Sequence, residues 1–345
     1  SGRLQSVRRG SSPSPAVDVI CGVPQGSVLR PILFIMYTVD LPAIIQRHQL
    51  TPHLYADDTQ VYGFCSPFDV DRLQERLRAC LDDVANWMDS NRLQLNANKT
   101  DFIWCKSARR HCNVGSLVVN GTVIPPSTSV RDLGVIVDAD LSMRSFVNNL
   151  VSCCFASLCR IRTARHYVSA PVIQTMLTSL VLSRLDYCNS LLYGIPAVHL
   201  RRLQSVLNAA ARLVYNLKRY DHVTDALICL HWLRIPERIQ FKMAVLMYQS
   251  LHGMAPSYLS CFRPAACVSS HRILRSNSNS DSNTLQRLLV PRTRCVTFGA
   301  RAFPVAGANI WNNLPLDITS APSLSIFRRR LKTFLFHFSF PGLVV

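Results

Sequence analysis

The sequence predicts an α+β fold, with short β-hairpins and packed helices over about the first 140 residues and a mostly helical remainder. Three observations carry this. Short apolar runs broken by turn residues, such as Asn120-Gly121 and Pro125-Pro126, occupy the stretch up to Val137 and read as strands. From Ser142 onward apolar residues recur three and four apart, the period of helices with one buried face. Finally, 48% of the 345 residues are hydrophobic, enough to build cores in two or three compact units.

In chain order, residues 3–7 and 16–20 read as strands around a Ser/Pro-rich turn at Gly10 to Pro15, beginning abruptly, as a chain cut inside a domain would. Gly22-Val23-Pro24-Gln25-Gly26-Ser27-Val28-Leu29-Arg30-Pro31 dictates a specific backbone path and releases into apolar Ile32 to Tyr37, expected as a buried helix ending near Asp40-Leu41-Pro42. A glycine-rich turn opening a helix can offer N–H groups to phosphate, but here the lysine and spacing of a P-loop are missing. His53 to Tyr62 is two short strands joined through Asp57-Asp58, a hairpin whose apex is expected to carry two carboxylates. Adjacent carboxylates repel, and one use for them is to hold a divalent cation through hard oxygen ligands. Plain turn chemistry is the other reading of an isolated Asp-Asp.

Ser66-Pro67-Phe68-Asp69 reads as a capping box, followed by Val70, Leu73, Leu77, Leu81, Val84 and Met88 at helical spacing. Val147, Leu150, Val151, Cys154, Leu158 and Ile161 form the stripe of a second long helix, whose C-terminal end gathers Arg160, Arg162, Arg165 and His166. Pro171 opens another helix. Leu200, Leu203, Leu207, Ala210 and Val214 mark a third with Arg201, Arg202 and Arg212 outside, and Pro236 starts a fourth that Gly253 stops. Residues 268–284 are too rich in Ser and Asn to pack and read as a linker. Arg287 to Phe298 is expected to hold strands, and a last helix carries Arg328-Arg329-Arg330 and Lys332, which suit either RNA contact or a solvated face. The expected regions are 1–140, 141–262, a linker at 263–290 and a C-terminal strand-and-helix segment at 291–345.

Lys and Arg (38) outnumber Asp and Glu (20), giving +18 and favouring a polyanionic partner. The 13 cysteines show no CxxC pair or zinc spacing. No signal peptide opens the sequence, and no apolar run of about 18 residues could span a bilayer. The expectation is an intracellular protein of the nucleus or cytoplasm, not secreted, with reduced thiols and no membrane partner.

Gly22-Val23-Pro24-Gln25-Gly26-Ser27-Val28-Leu29, followed about 30 residues later by Tyr55-Ala56-Asp57-Asp58, resembles the palm of a reverse transcriptase of the non-LTR (LINE-type) retrotransposon kind. Asn91 to Thr100 is similar to the next family motif, Val130-Arg131-Asp132-Leu133-Gly134-Val135 to the hairpin that grips the primer end, and Ser183 to Asn189, Leu207 to Leu213 and Trp311 to Pro315 to the C-terminal region of such elements. The resemblance implies a partial polymerase palm of antiparallel sheet with packed helices, followed by a helical thumb and a mostly helical C-terminal region. It implies an RNA template, a DNA primer, deoxynucleotides and Mg²⁺. Asp57 and Asp58 would be catalytic metal ligands, and Lys99 would assist departure of pyrophosphate. Pro24, Gln25, Gly26, Ser27 and Tyr55 would lie near template, nucleotide and primer end, and Leu133-Gly134 would form the primer grip.

The family carries one more metal-binding Asp well upstream of Gly22. Asp18 and Asp40 do not stand in its place. It also usually has Gly where Arg30 precedes Pro31, so arginine is expected to strain that turn if the position needs positive φ. Two readings follow: part of an RNA-directed DNA polymerase, whose partner would be the N-terminal part of the same polyprotein, or a truncated remnant that at most binds nucleic acid. The isolated chain is expected to be inactive.

Overall fold

The computed structural model describes residues 4–19, 26–106, 114–260, 262, 287–293 and 296–342. The chain divides into two compact units, Ser1–Thr128 and Ser129–Val345. Pro24, Gln25 and the expected linker at 268–284 lie outside the described residues.

The first unit opens with a hairpin. β1 (Leu4–Gln5) pairs with β4 (Val17–Asp18), and β2 (Arg8–Arg9) with β3 (Ser12–Pro13), both antiparallel. Between the two pairs Ser14 N–H donates to the Val7 carbonyl (2.8 Å) and Val7 N–H to Ser14 Oγ (2.9 Å). Helix α1 (Arg30–Tyr37) forms where the apolar run predicts it, with Pro31 in the first turn, where its missing N–H costs nothing. It is not buried: Ile32, Ile35 and Met36 are 55%, 61% and 67% exposed. Apolarity fixed the helix, but among the described residues nothing covers its outer face, and only Phe34 and Thr38 turn inward.

Helix α2 (Leu41–Arg47) buries Leu41, Ile44 and Ile45 against Leu73, Cys80 and Val84 of α3 (Val70–Ser90), with Leu50 between. The stripe expected on α3 is present, Leu77, Leu81 and Met88 being half-buried. The capping box is not. Ser66 Oγ accepts from Phe68 N–H (3.3 Å) and donates to Asp69 Oδ2 (2.5 Å), and the helix starts only at Val70 with no side-chain cap, because the serine is spent on its own turn. On the same core lies the hairpin β5 (Thr51–Tyr55) and β6 (Asp58–Tyr62), through Leu54 and Val61. A second small core, Phe102, Leu117, Val119 and Ile124, gathers β7 (Phe102–Ile103), β8 (Leu117–Val119) and β9 (Thr122–Ile124). β8 and β9 turn through Asn120 (φ 48°) and Gly121 (φ 75°), the pair that favours a two-residue hairpin with left-handed residues. β10 (Pro126–Ser127) pairs with β7 in parallel. The expected antiparallel palm sheet is thus, among the described residues, a set of separate two-stranded pairings.

The second unit begins with the hairpin β11 (Ser129–Asp132) and β12 (Val135–Asp138), whose Val135 enters the core formed by α4 (Arg144–Ala164). Asp138 is buried; its Oδ2 accepts from Ser145 N–H (3.2 Å) and Ser142 Oγ (3.1 Å), satisfying the start of α4 with a carboxylate where the helix dipole favours one. All six predicted stripe residues of α4 are buried. They face α5 (Ala170–Leu177), which runs through a π turn (Thr178–Leu182) into α6 (Ser183–Asp186), and α7 (Ala197–Tyr215), which buries Leu203, Leu207, Ala210 and Val214. α8 (Thr224–Cys229) completes this layer.

Helix α9 (Ile235–Leu251) ends at Gly253 (φ 67°), where Met254 N–H reaches back to the Gln249 carbonyl (2.8 Å), the closure a left-handed glycine permits. Its Met243, Met247 and Tyr248 form a second core with Trp311 of α11 (Phe303–Asn312) and Phe327, Leu331 and Leu335 of α13 (Leu324–Ser339). α12 (Leu316–Thr319) leads into α13, which Ser323 caps by accepting from Ile326 N–H (3.4 Å). Val296–Gly299, within the stretch expected as strand, is the short helix α10. No helix of the described residues is long and apolar enough to cross a membrane.

The C-terminal helices are also tied down by a polar clamp. Arg301 donates to the carbonyls of Leu141 (2.8 Å), Tyr193 (3.2 Å) and Leu191 (3.3 Å), and burial holds its guanidinium below its usual range. Gly194 (φ 69°) leaves room for the Arg301 stem, since a Cβ there would stand 2.9 Å from its Cγ. Replacing Arg301 with Met keeps much of the stem but strands three carbonyls, and urea unfolding followed by circular dichroism should show a loss of about 1–3 kcal/mol.

Candidate active site

The acidic hairpin is positioned by its inner face. Leu54 and Val61 pack on the core, while Tyr55 and its cross-strand partner Asp58 share an exposed face at the end of the ladder. Tyr55 and Asp58 close the ladder, which makes the turn Ala56-Asp57. The expected apex of two carboxylates is therefore corrected: Asp57 sits on the turn and Asp58 is the first residue of β6, because the ladder closes on Tyr55 and Asp58 and not on Ala56 and Thr59. Both carboxylates are exposed.

Ala56 has φ 52°, the left-handed region that costs a residue with a Cβ about 1–2 kcal/mol relative to its preferred basins. A glycine would adopt it freely. The chain instead holds alanine in a strained turn next to Asp57, and the paired strands on either side over-determine it.

The glycine-rich stretch is described from Gly26. Gly26 has φ 86°, with nothing within 4 Å of where a Cβ would stand. Ser27 Oγ accepts from Leu29 N–H (3.4 Å), and its carbonyl accepts from Arg30 N–H (3.2 Å), which leads the backbone into α1. Arg30 is the first residue of α1 and is not among the positive-φ residues, so the strain expected there is absent: the helix takes Arg30 in its own basin. Lys99 is exposed at the end of a 3₁₀ turn (Ala97–Lys99).

Leu133 and Gly134 form the two-residue turn between β11 and β12, in the second unit, with φ 44° and 85°. Here a leucine occupies a left-handed position that Asn, Asp or Gly normally fills. Sequence reasoning gave no role to the residue that contacts this turn: Tyr187, 54 positions on, donates its hydroxyl to the Leu133 carbonyl (2.6 Å). No spacing signal could have joined two residues so far apart. Among the described residues no group of three or more His, Cys, Asp or Glu side chains is placed to hold a metal ion.

Residues 14–137 match the reverse transcriptase (RNA-dependent DNA polymerase) family. Over 156 residues the chain is 31% identical to the RNA-directed DNA polymerase from mobile element jockey of Drosophila funebris, covering 43% of this chain and 16% of that protein. Over 227 residues it is 24% identical to the probable RNA-directed DNA polymerase from transposon X-element of Drosophila melanogaster, covering 62% and 24%. These likenesses are to RNA-directed DNA polymerases of mobile elements and support a LINE-type, non-LTR reverse transcriptase as what the matched part resembles. The chain spans about a quarter or less of the length of the relatives it matches. No solved structure matches it.

If Ala56 is strained, Ala56→Gly should relax the turn. Hydrogen exchange at the β5 and β6 amides is expected to slow by up to about tenfold, corresponding to about 1 kcal/mol; faster exchange would mean that the alanine is at ease.

Proposed function

We propose that this chain is a palm segment and thumb of an RNA-directed DNA polymerase that copies an RNA template from a DNA primer. The observation that carries the reading is Asp57, held on a strained hairpin turn inside the stretch that matches the reverse transcriptase family. Asp57 and Asp58 offer exposed hard oxygen donors, which suit a divalent cation such as Mg²⁺ and would hold it from adjacent positions. The cation, when bound, supplies charge neutralisation at the attacking and leaving oxygens. Gln25, Gly26 and their neighbours Pro24 and Ser27 would orient template and incoming nucleotide. Tyr55, on the same strand face as Asp58, would lie near the primer end, Lys99 would give a proton to the departing pyrophosphate, and Leu133-Gly134 would steady the primer.

The exposed arginines of α4 and α7 support a polyanionic partner. Arg160, Arg162, Arg201 and Arg202 all lie on the surface. Each cation that neutralises a phosphate releases counterions, so binding to an RNA–DNA hybrid should fall steeply with salt. Changing Arg160 and Arg162 together to Gln should lower the slope of log affinity against log salt by about 2; an unchanged slope would exclude these two residues from contact.

Primer extension on an RNA template with Mg²⁺ tests the chemistry. The two hairpin carboxylates are not joined by a third ligand among the described residues, so this chain alone is expected to incorporate no nucleotide. Incorporation that Asp57→Ala abolishes would overturn that expectation and establish a complete site. The second reading, a remnant that at most binds nucleic acid, predicts binding without incorporation under every metal tried.

A further inference from the structure

The turn proposed as the primer grip is held from a place that the function has not used. Leu133 is left-handed without being glycine, so on its own the turn would relax toward conformations that spare its Cβ. Two contacts oppose this. At the base of the hairpin Asp138 is locked into the start of α4 through Ser142 and Ser145. At the tip, Tyr187 donates its hydroxyl to the Leu133 carbonyl (2.6 Å), and its ring stands 3.7 Å from where a Gly134 Cβ would project.

Tyr187 is itself fixed on both sides. Arg184 donates to Ser157 Oγ (3.1 Å) on α4, and Asp186 accepts from Arg238 Nε (2.9 Å) on α9 and from Asn189 Nδ2 (3.4 Å). Tyr187 N–H closes on the Ser183 carbonyl (3.0 Å), and Cys188 then turns the chain away in a left-handed conformation (φ 51°). Leu185 and Asn189, on either side of Tyr187, are buried, while the tyrosine, half exposed, reaches out to the turn.

We propose that Tyr187 is a positioning residue for primer binding, fixing the Leu133-Gly134 turn in its strained conformation so that the turn's backbone meets the primer end in one geometry. The proposal rests on the primer-grip reading of this hairpin. Strain without a brace would leave the turn to fluctuate, and a contact surface that fluctuates binds less well because ordering it costs free energy at the moment of binding. Losing one neutral hydrogen bond predicts an effect of about three- to tenfold.

The test uses the full chain and Tyr187→Phe, which keeps the ring and removes only the donor. A DNA primer carrying 4-thiothymidine at its 3′ end, annealed to an RNA template, is photo-crosslinked and the adduct mapped by mass spectrometry, with hydrogen exchange of the 129–138 peptide in parallel. The expected result is a crosslink within 129–138 in the parent chain, reduced about three- to tenfold in Tyr187→Phe, together with faster exchange of the turn and a melting temperature lowered by no more than about 4 °C. A parent chain that crosslinks elsewhere would sink the primer-grip reading itself. A parent crosslink here that Tyr187→Phe leaves intact would overturn the role of Tyr187 alone, as would unchanged exchange. Tyr187→Leu, lacking both ring and donor, should reproduce the crosslink loss; retention of the crosslink in that variant would equally overturn the proposal.

Discussion

The helical unit depends on the burial of one stripe of α4 against α5 and α7. Phe146, Val147, Leu150, Val151, Cys154, Leu158 and Ile161 leave water together, each large aliphatic among them contributing about 1.5–3 kcal/mol. That burial fixes the rotation of the helix about its axis, and the rotation decides everything else the helix carries. It turns Arg160 and Arg162 to solvent and aims the first N–H groups at Asp138. Through Asp138 it anchors the hairpin that ends in Leu133-Gly134. An apolar constraint therefore sets both the electrostatic face of the unit and the placing of its most unusual turn.

The four two-residue hairpin turns among the described residues form an internal comparison, and the first, Gly10-Ser11, places a glycine at its left-handed position (φ 63°). The turn at Asn120-Gly121 uses residues that accept left-handed backbone, and nothing beyond strand pairing is asked of it. Ala56-Asp57 and Leu133-Gly134 place alanine and leucine in that same region of φ. A sequence selected only for folding would favour Gly or Asn at both. The two turns that break the local rule are the two on which the family resemblance sets metal binding and primer contact, which is where departures from local consistency are expected to gather.

What could be read in the sequence follows the range of the interaction that determines it. Helical stripes, the Asn-Gly turn, the start of helices near Pro171 and Pro236 and the stop at Gly253 all depend on residues within a turn or two of each other, and they stand as the pattern implied. Apolarity could give α1 its helix but not its cover, since burial belongs to whatever packs on it. The apex of the acidic hairpin was misplaced by one residue because register is decided across the ladder and not along it. The capping box failed because Ser66 had a nearer partner. Tyr187 and Arg301 left no trace in local pattern, as each acts across a large sequence separation. The proposal that Asp57 would bind a metal comes from motif order and not from its exposed surroundings, where, among the described residues, no third ligand joins it and the adjacent Asp58.

The Arg301 clamp sets an order in time. Its hydrogen bond to the Leu141 carbonyl closes a separation of 160 residues, and those to Leu191 and Tyr193 close 110 and 108. A ribosome adding about 5–20 residues per second needs roughly ten to thirty seconds to travel from Leu141 to Arg301. In that interval α4 to α8 can assemble their own core as they emerge, and once α9 follows, its faces destined for Trp311 and Phe327 remain uncovered until those residues are made. The helical unit is thus finished from its far end, and the nascent chain carries an unsealed apolar seam until its last helices emerge, an interval in which a chaperone that shields such seams would have its greatest effect.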